Sequence, residues 1–208
     1  MQSKISALLA TLLAAAAPFA GAANVAGGGT VSIAGDGFFQ YSAEWGSGVG
    51  APLSSVVDGI TVPDGQQWNV GTVYWQGDAV NTLTIQLASA ATVSSLFLQA
   101  DNNDFYAVSY EDLGGTWHAI GATLSPHGAV DPSVGSVDWG MGTASYTFAD
   151  AVTAQAFQIT ATGDSFYAVS EFQADGAFLP AVPEPGTGLL MLAGLGALAA
   201  AARRRPAR

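Results

Sequence analysis

The sequence has no cysteine, and between residues 5 and 202 it has neither lysine nor arginine. The first absence excludes disulfide staples and thiolate metal sites, so the folded part must rest on its own core or on a metal held by other ligands. The second leaves the body without a permanent positive charge. The 5 basic residues are Lys4, Arg203, Arg204, Arg205 and Arg208, against 16 carboxylates of which all but Glu184 precede Val182. Such a body repels phosphate, which disfavours nucleic acid and anionic lipid surfaces as its partners and leaves divalent cations and neutral ligands. Catalytic signatures are missing too. There is no G-x-S-x-G and no H-E-x-x-H, and His118 and His127 stand without a motif partner. A glycosidase needs two opposed carboxylates, and nothing in the spacing of so many acids selects a pair. No enzymatic activity is expected.

The two ends are distinctive. Residues 1–23, MQSKISALLATLLAAAAPFAGAA, carry one cation at Lys4, an apolar stretch and small residues at Ala20, Gly21 and Ala22. That is the three-part order of a secretory signal peptide. At the other end, Thr187 to Ala202 carries no charge, a run near the lower limit of ~17 residues for a membrane-crossing helix. The arginines behind it would stay in the cytoplasm and leave residues 24–186 outside. Pro183 and Pro185 bracket Glu184, which makes an extended linker open to a processing enzyme. Val182, Pro183, Glu184 and Pro185, then an apolar helix, then Arg203, Arg204 and Arg205 stand in this order over residues 181–208. The arrangement resembles the PEP-CTERM sorting signal of Gram-negative bacteria that make extracellular polysaccharide. The resemblance implies an exported substrate of exosortase, a membrane protease-transpeptidase, destined for the cell envelope, cell surface or extracellular matrix. An ordinary single-span C-terminal anchor is the alternative reading.

Between residues 24 and 180 the texture changes to short alternating segments divided by glycine, asparagine and aspartate, the pattern of an all-β domain. In NTLTIQLAS, Leu83, Ile85 and Leu87 share one side and Thr82, Thr84 and Gln86 the other. GGTVSIAG, GFFQYSAEW, TVSSLFLQA, DFYAVSYED, TWHAIGA, ASYTFAD, AFQITATG and SFYAVSEFQADG are further candidates. About nine strands with turn-rich spacing point to a β-sandwich or jelly roll, flanked by the signal helix and the C-terminal transmembrane helix.

Two stretches echo each other, NDFYAVSYEDLGG from Asn103 and GDSFYAVSEFQADG from Gly163. They read as two strands in similar environments at comparable ends of the sandwich. In strict alternation Tyr167, Val169 and Glu171 share a face. If that face is the core, Glu171 is buried in a body with no fixed cation, and it must be protonated, capped by backbone donors or paired with a metal. If Ala168, Ser170 and Phe172 point inward instead, Glu171 is solvated.

VVDGITVPDGQQWNVGTVYWQG, then LTIQLASAATVSSLFLQADNNDFYAVSYEDLGGTWHAIG, then AQAFQITATGDSFYAVSEFQADG follow in order the landmarks of galactose-binding-like jelly rolls, the discoidin or coagulation factor type C group. The likeness covers roughly residues 54 to 176. In that group a calcium ion often sits beside an early Asp-Gly loop and a glutamate of the last strand. The resemblance therefore implies structural calcium at Asp58 or Asp64 with Glu171, and oxygen-only ligands suit calcium. Asp101, Asn102, Asn103 and Asp104 form another oxygen-rich run, but it lacks the glycine and distal glutamate of an EF-hand loop. It reads as a turn held by its own side chains.

Five tryptophans remain: Trp45, Trp68, Trp75, Trp117 and Trp139. Trp75 and Trp117 match positions that look structural in the discoidin group. Trp68, in DGQQWN, and Trp139, in SVDWGMG, sit in turn-like surroundings and are the expected ligand-facing rings for extracellular polysaccharide. The other readings are a passive structural surface or matrix protein and, with least support, a glycan-active enzyme.

Overall fold

The computed structural model describes residues 22–38, 49–77, 81–126, 140–180 and Gly194. The chain divides into two units, Met1–Phe178 and Leu179–Arg208. In the second, Gly194 is helical. Among the described residues no helix is long and apolar enough to cross a membrane. The expected signal peptide before residue 22, the sorting signal at Val182 to Arg205, Trp45, His127 and Trp139 lie outside the described residues.

The described part of the first unit contains nine strands. They are β1 Ala23–Asn24, β2 Thr30–Ala34, β3 Val49–Gly50, β4 Val70–Gln76, β5 Thr82–Asp101, β6 Phe105–Glu111, β7 Trp117–Leu124, β8 Met141–Thr162 and β9 Phe166–Phe178, with a 3-10 turn at Leu53–Val57. β1 pairs Ala23 with Gly176, so the folded unit takes in the last residue of the expected signal segment.

Four of the expected strands fuse into two. NTLTIQLAS and TVSSLFLQA are the halves of β5, and ASYTFAD and AFQITATG lie within β8. The reason lies in the pairings. Leu83 to Gln86 lies between β2 and the end of β8, with Ile85 opposite Val31 and Phe157. After a break in register between Gln86 and Ala91, the rest of β5 lies between β9 and the start of β8, with Leu98 opposite Phe172 and Ala144. β5 and β8 thus bend together at irregular positions and pass from one layer to the other. One layer runs β2-β5-β8-β6-β7 and the other β3-β4-β9-β5-β8.

The core between the layers gathers Leu83, Ile85, Leu96, Leu98, Phe157, Ile159, Tyr167 and Phe172, all buried. Trp75 sits among Phe38, Tyr106 and Tyr167 at ring-centroid distances of 5.1, 6.5 and 5.8 Å. The Tyr106 hydroxyl donates to the Ala168 carbonyl at 3.1 Å and accepts the Ala168 N–H at 3.3 Å, which ties β6 to β9 across the core. The two echoing segments therefore meet each other.

Candidate functional site

β9 departs from strict alternation at Ser170. Gln99 stands opposite Glu171 and the next residue, Ala100, stands opposite Val169, so Ser170 is one residue too many on its strand. This bulge lets Tyr167, Val169, Phe172 and Ala174 all face the core. Glu171, expected on the Tyr167 and Val169 face, instead points to the outer side with its cross-strand partner Gln99. Both expected registers assumed unbroken alternation, and neither holds. Glu171 is nevertheless fully buried, because the loop from Asp58 to Asn69 lies over it.

That loop is fastened to the outer face by two side chains. The Gln99 amide accepts the Val62 N–H at 2.8 Å and the Ser170 hydroxyl at 2.6 Å through Oε1, and it donates to the Val62 carbonyl at 2.9 Å and to Asp64 Oδ1 at 3.4 Å through Nε2. Glu171 accepts the Gly59 N–H on both oxygens, at 3.1 and 3.3 Å. Burial pushes the Glu171 carboxyl up to about 7, against a pull from the Gln173 side chain, with Asp58 adding repulsion and the Gly59 and Ile60 N–H groups offsetting part of it. Of the three fates open to this carboxylate, backbone capping by Gly59 is in place, and burial favours retention of a proton. Gln99 carried no signal beyond being a polar residue between core-facing Leu98 and Ala100.

The expected calcium ligands separate into two places. Asp58 is exposed beside Glu171, where its Oδ1 accepts the Ile60 N–H at 2.8 Å. Asp64 is exposed and held at Gln99. Among the described residues no three His, Asp or Glu side chains form a ready-made metal group.

Trp68, expected to face a ligand, does not. It is 7% exposed and belongs to a small second core with Tyr74, Met141 and Ala168, against Val62 and Phe166. The Gln67–Val70 turn that carries it is closed by the Val70 N–H to the Gln67 carbonyl at 3.1 Å, and the residues just before it are pinned to β8 by Met141 N–H to the Gln66 carbonyl at 2.8 Å and by Gly65 N–H to the Met141 carbonyl at 2.9 Å. An indole packed edge-on to Tyr74 at 5.5 Å is the apolar lining of the loop, because the outer face of β4 and β9 also has apolar area to bury. Trp75 is fully buried, whereas Trp117 is 39% exposed on the edge strand β7. His118 stacks on Tyr110 and pairs with Asp112 Oδ2 at 2.8 Å, a hydrogen-bonded surface position.

A concave site lies elsewhere. A pocket of about 610 Å³ is lined by Gly35, Asp36, Gly37, Phe38, Gln76, Gly77, Asn81 and Ser165. Asn81 clips its walls together: Oδ1 accepts the Gly37 N–H at 3.0 Å, and Nδ2 donates to the carbonyls of Gln76 at 2.8 Å and Gly77 at 3.1 Å. A Cβ on Gly37 would stand 1.8 Å from the Gln76 carbonyl oxygen, so the turn can close this tightly only with glycine there. Phe38 packs on Trp75 beneath the wall, while the Asp36 and Gln76 side chains are exposed. The result is an open recess with a carboxylate and an amide at its rim, suited to hydroxyl-bearing ligands.

Residues 181–205 match the PEP-CTERM protein-sorting motif. No curated protein matches the sequence. Solved structures similar to this one include family 32 carbohydrate-binding modules. The module of Clostridium perfringens NanJ, in complex with galactose, has 16% identity and a TM-score of 0.49 over 74% of this chain and 98% of that one. The module of Streptococcus pneumoniae EndoD has 11% identity and a TM-score of 0.49 over 73% of this chain and 98% of that one. A Streptococcus pneumoniae fucose binding module has 11% identity and a TM-score of 0.48 over 74% of this chain and 95% of that one.

Proposed function

We propose that this protein is exported, processed at its C-terminal sorting signal by an exosortase-type enzyme, and placed at the cell surface or in the extracellular matrix of a Gram-negative bacterium, where its β-sandwich associates with extracellular polysaccharide. The sorting motif at residues 181–205 carries the first half of this reading. The second half is supported by the recess beside Asn81 and by an exposed Asp36 and Gln76 that can bond to sugar hydroxyls. Binding is favoured over hydrolysis because Asp36 is the one ionisable side chain among the described lining residues, and glycoside hydrolysis takes two carboxylates. Trp139 keeps its expected part as a stacking ring.

Calcium support at the loop is a separable part of the proposal. Asp58 and Glu171 offer oxygen ligands of the right chemistry, and a cation between them would relieve the repulsion that helps raise the Glu171 carboxyl. It would take the place of the Gly59 N–H on that carboxylate.

The test of polysaccharide association is retention of the purified full chain on host extracellular polysaccharide and on a glycan array, with Asp36→Ala, Gln76→Ala and Trp139→Ala alongside. Loss of one bond to a sugar hydroxyl should weaken retention about tenfold for Asp36→Ala or Gln76→Ala, with no change in melting temperature because both side chains are exposed. A wild-type chain that is retained on no glycan favours the passive structural reading.

A further inference from the structure

The acidic turn between β5 and β6 has an electrostatic need that the loop over Glu171 does not share. Asp101 closes β5 and is 2% exposed. Its Oδ1 is buried and accepts no hydrogen bond, and the side-chain oxygen of Asn103 is in the same condition. The turn after β8 comes up against this one: Asn103 Nδ2 donates to Asp164 Oδ2 at 3.0 Å, and the Asp164 N–H donates to Asp104 Oδ1 at 3.1 Å. Space has been left for that approach, since a Cβ on Gly163 would stand 1.9 Å from Asp104 Oδ1. Burial, and after it repulsion from Asp104 and Asp164, pushes the Asp101 carboxyl up to about 8, against a pull from the Asn102 and Asn103 N–H groups.

Three acids thus lie in one neighbourhood, without forming a ready-made metal group, and no basic side chain among the described residues meets them. His118 is spent on Asp112 near the far end of β6. Whereas Glu171 has the Gly59 N–H on both oxygens, Asp101 has the Asn102 and Asn103 N–H groups near its carboxyl but its inner oxygen Oδ1 accepts no hydrogen bond. Burying a polar oxygen with nothing to bond is costly, and a bound cation would satisfy it in place of a retained proton.

We propose that the two turns, 101–104 and 163–165, bind a divalent cation of the calcium type, with Asp101 and Asn103 as side-chain ligands, Asp104 and Asp164 as neighbouring negative charge, and main-chain or water oxygens completing the shell. The ligand set holds fewer than three directly coordinating carboxylates, in keeping with the absence of a ready-made acidic triad among the described residues. Such a site should half-saturate in the range of about 10⁻⁴–10⁻³ M found for extracellular modules. Its position has a consequence for the pocket. Ser165, which follows Asp164, lines the recess, donates its N–H to the Tyr167 hydroxyl at 3.2 Å and accepts the Gly77 N–H at 2.9 Å. A cation on these turns would therefore fix one wall of the pocket.

The experiment is calcium titration of the purified full chain, read by direct binding and by melting temperature, in the wild type, Asp101→Asn, Asn103→Ala and Glu171→Gln. Wild-type protein should bind calcium with a rise in melting temperature. Asp101→Asn, which keeps the shape and removes the charge, should bind at least tenfold more weakly, and Glu171→Gln should keep this binding. Asn103→Ala, at a half-buried turn position, should weaken it too and serves as the readout if Asp101→Asn fails to fold. Wild-type protein that binds no calcium at millimolar concentration overturns the proposal. So does an unchanged number of bound calcium ions in Asp101→Asn, or loss of all calcium binding in Glu171→Gln, which would assign the ion to the Asp58 loop alone.

Discussion

In calcium-free buffer the protein should become less stable as the pH rises from about 4 to about 8, the reverse of ordinary acid denaturation. The sign follows from two buried carboxyls. Glu171 has an ordinary value of 4.5 and a folded value of about 7, and Asp101 an ordinary value of 3.8 and a folded value of about 8. Between the two values of each group, the folded chain keeps a proton that the unfolded chain has lost. Stability then falls by about 1.4 kcal/mol per pH unit for each group in that window and levels off above it. Glu171 alone should cost about 3 kcal/mol by pH 7, and Asp101 a comparable or larger amount by pH 8. Asp112, lowered by its bond to His118, works in the opposite sense at low pH but is exposed and weak. Melting curves at pH 4 to 9 in EGTA check this. Glu171→Gln should flatten the lower part of the decline and leave the Asp101 part in place. A melting temperature that rises through this range, or an unchanged slope in Glu171→Gln, would contradict it.

Trp75→Ala should remove about 3–5 kcal/mol, the cost of deleting a large aromatic side chain from a packed core. Trp75 is fully buried and its ring touches Phe38, Tyr106 and Tyr167, so both layers lose a contact at once. Phe38, which the indole supports, lines the recess. The variant should therefore lose polysaccharide retention along with stability, whereas Trp75→Phe should recover part of both. Chemical denaturation gives the energy, and an unchanged midpoint in Trp75→Ala would remove this tryptophan from the centre of the core.

Much of the β architecture is legible in the sequence because its strands bury one face and expose the other. Leu83, Ile85 and Leu87 lie inside as their spacing predicts. The fusion of neighbouring strands into β5 and β8 is not legible, since a bend between layers and a loop between strands both break the alternation. β4 escapes as a separate segment because Val73, Tyr74 and Trp75 are buried in succession, with Tyr74 under the covering loop and Trp75 in the main core.

The burial of Glu171 follows from its apolar setting, but its direction does not, because the extra residue at Ser170 leaves no mark in composition. Trp68 misleads for a related reason. A tryptophan in a turn looks available to a ligand until the turn folds down onto an apolar outer face. The Asp101 to Asp104 run is a turn, as its residue types suggest. That it meets Asp164 could have been anticipated only from the echo between the two segments, which places their Asp-to-Tyr spacings at the same end of the sandwich.

Placement of the protein at the cell surface or in the matrix depends on export and removal of the C-terminal signal, and the mass of the mature chain recovered from its native host tests that most directly. The account predicts a polypeptide that begins at or beside Ala23 and has lost Arg203, Arg204 and Arg205 together with the apolar segment before them. Recovery of the intact 208-residue chain, leader and arginines included, would contradict it.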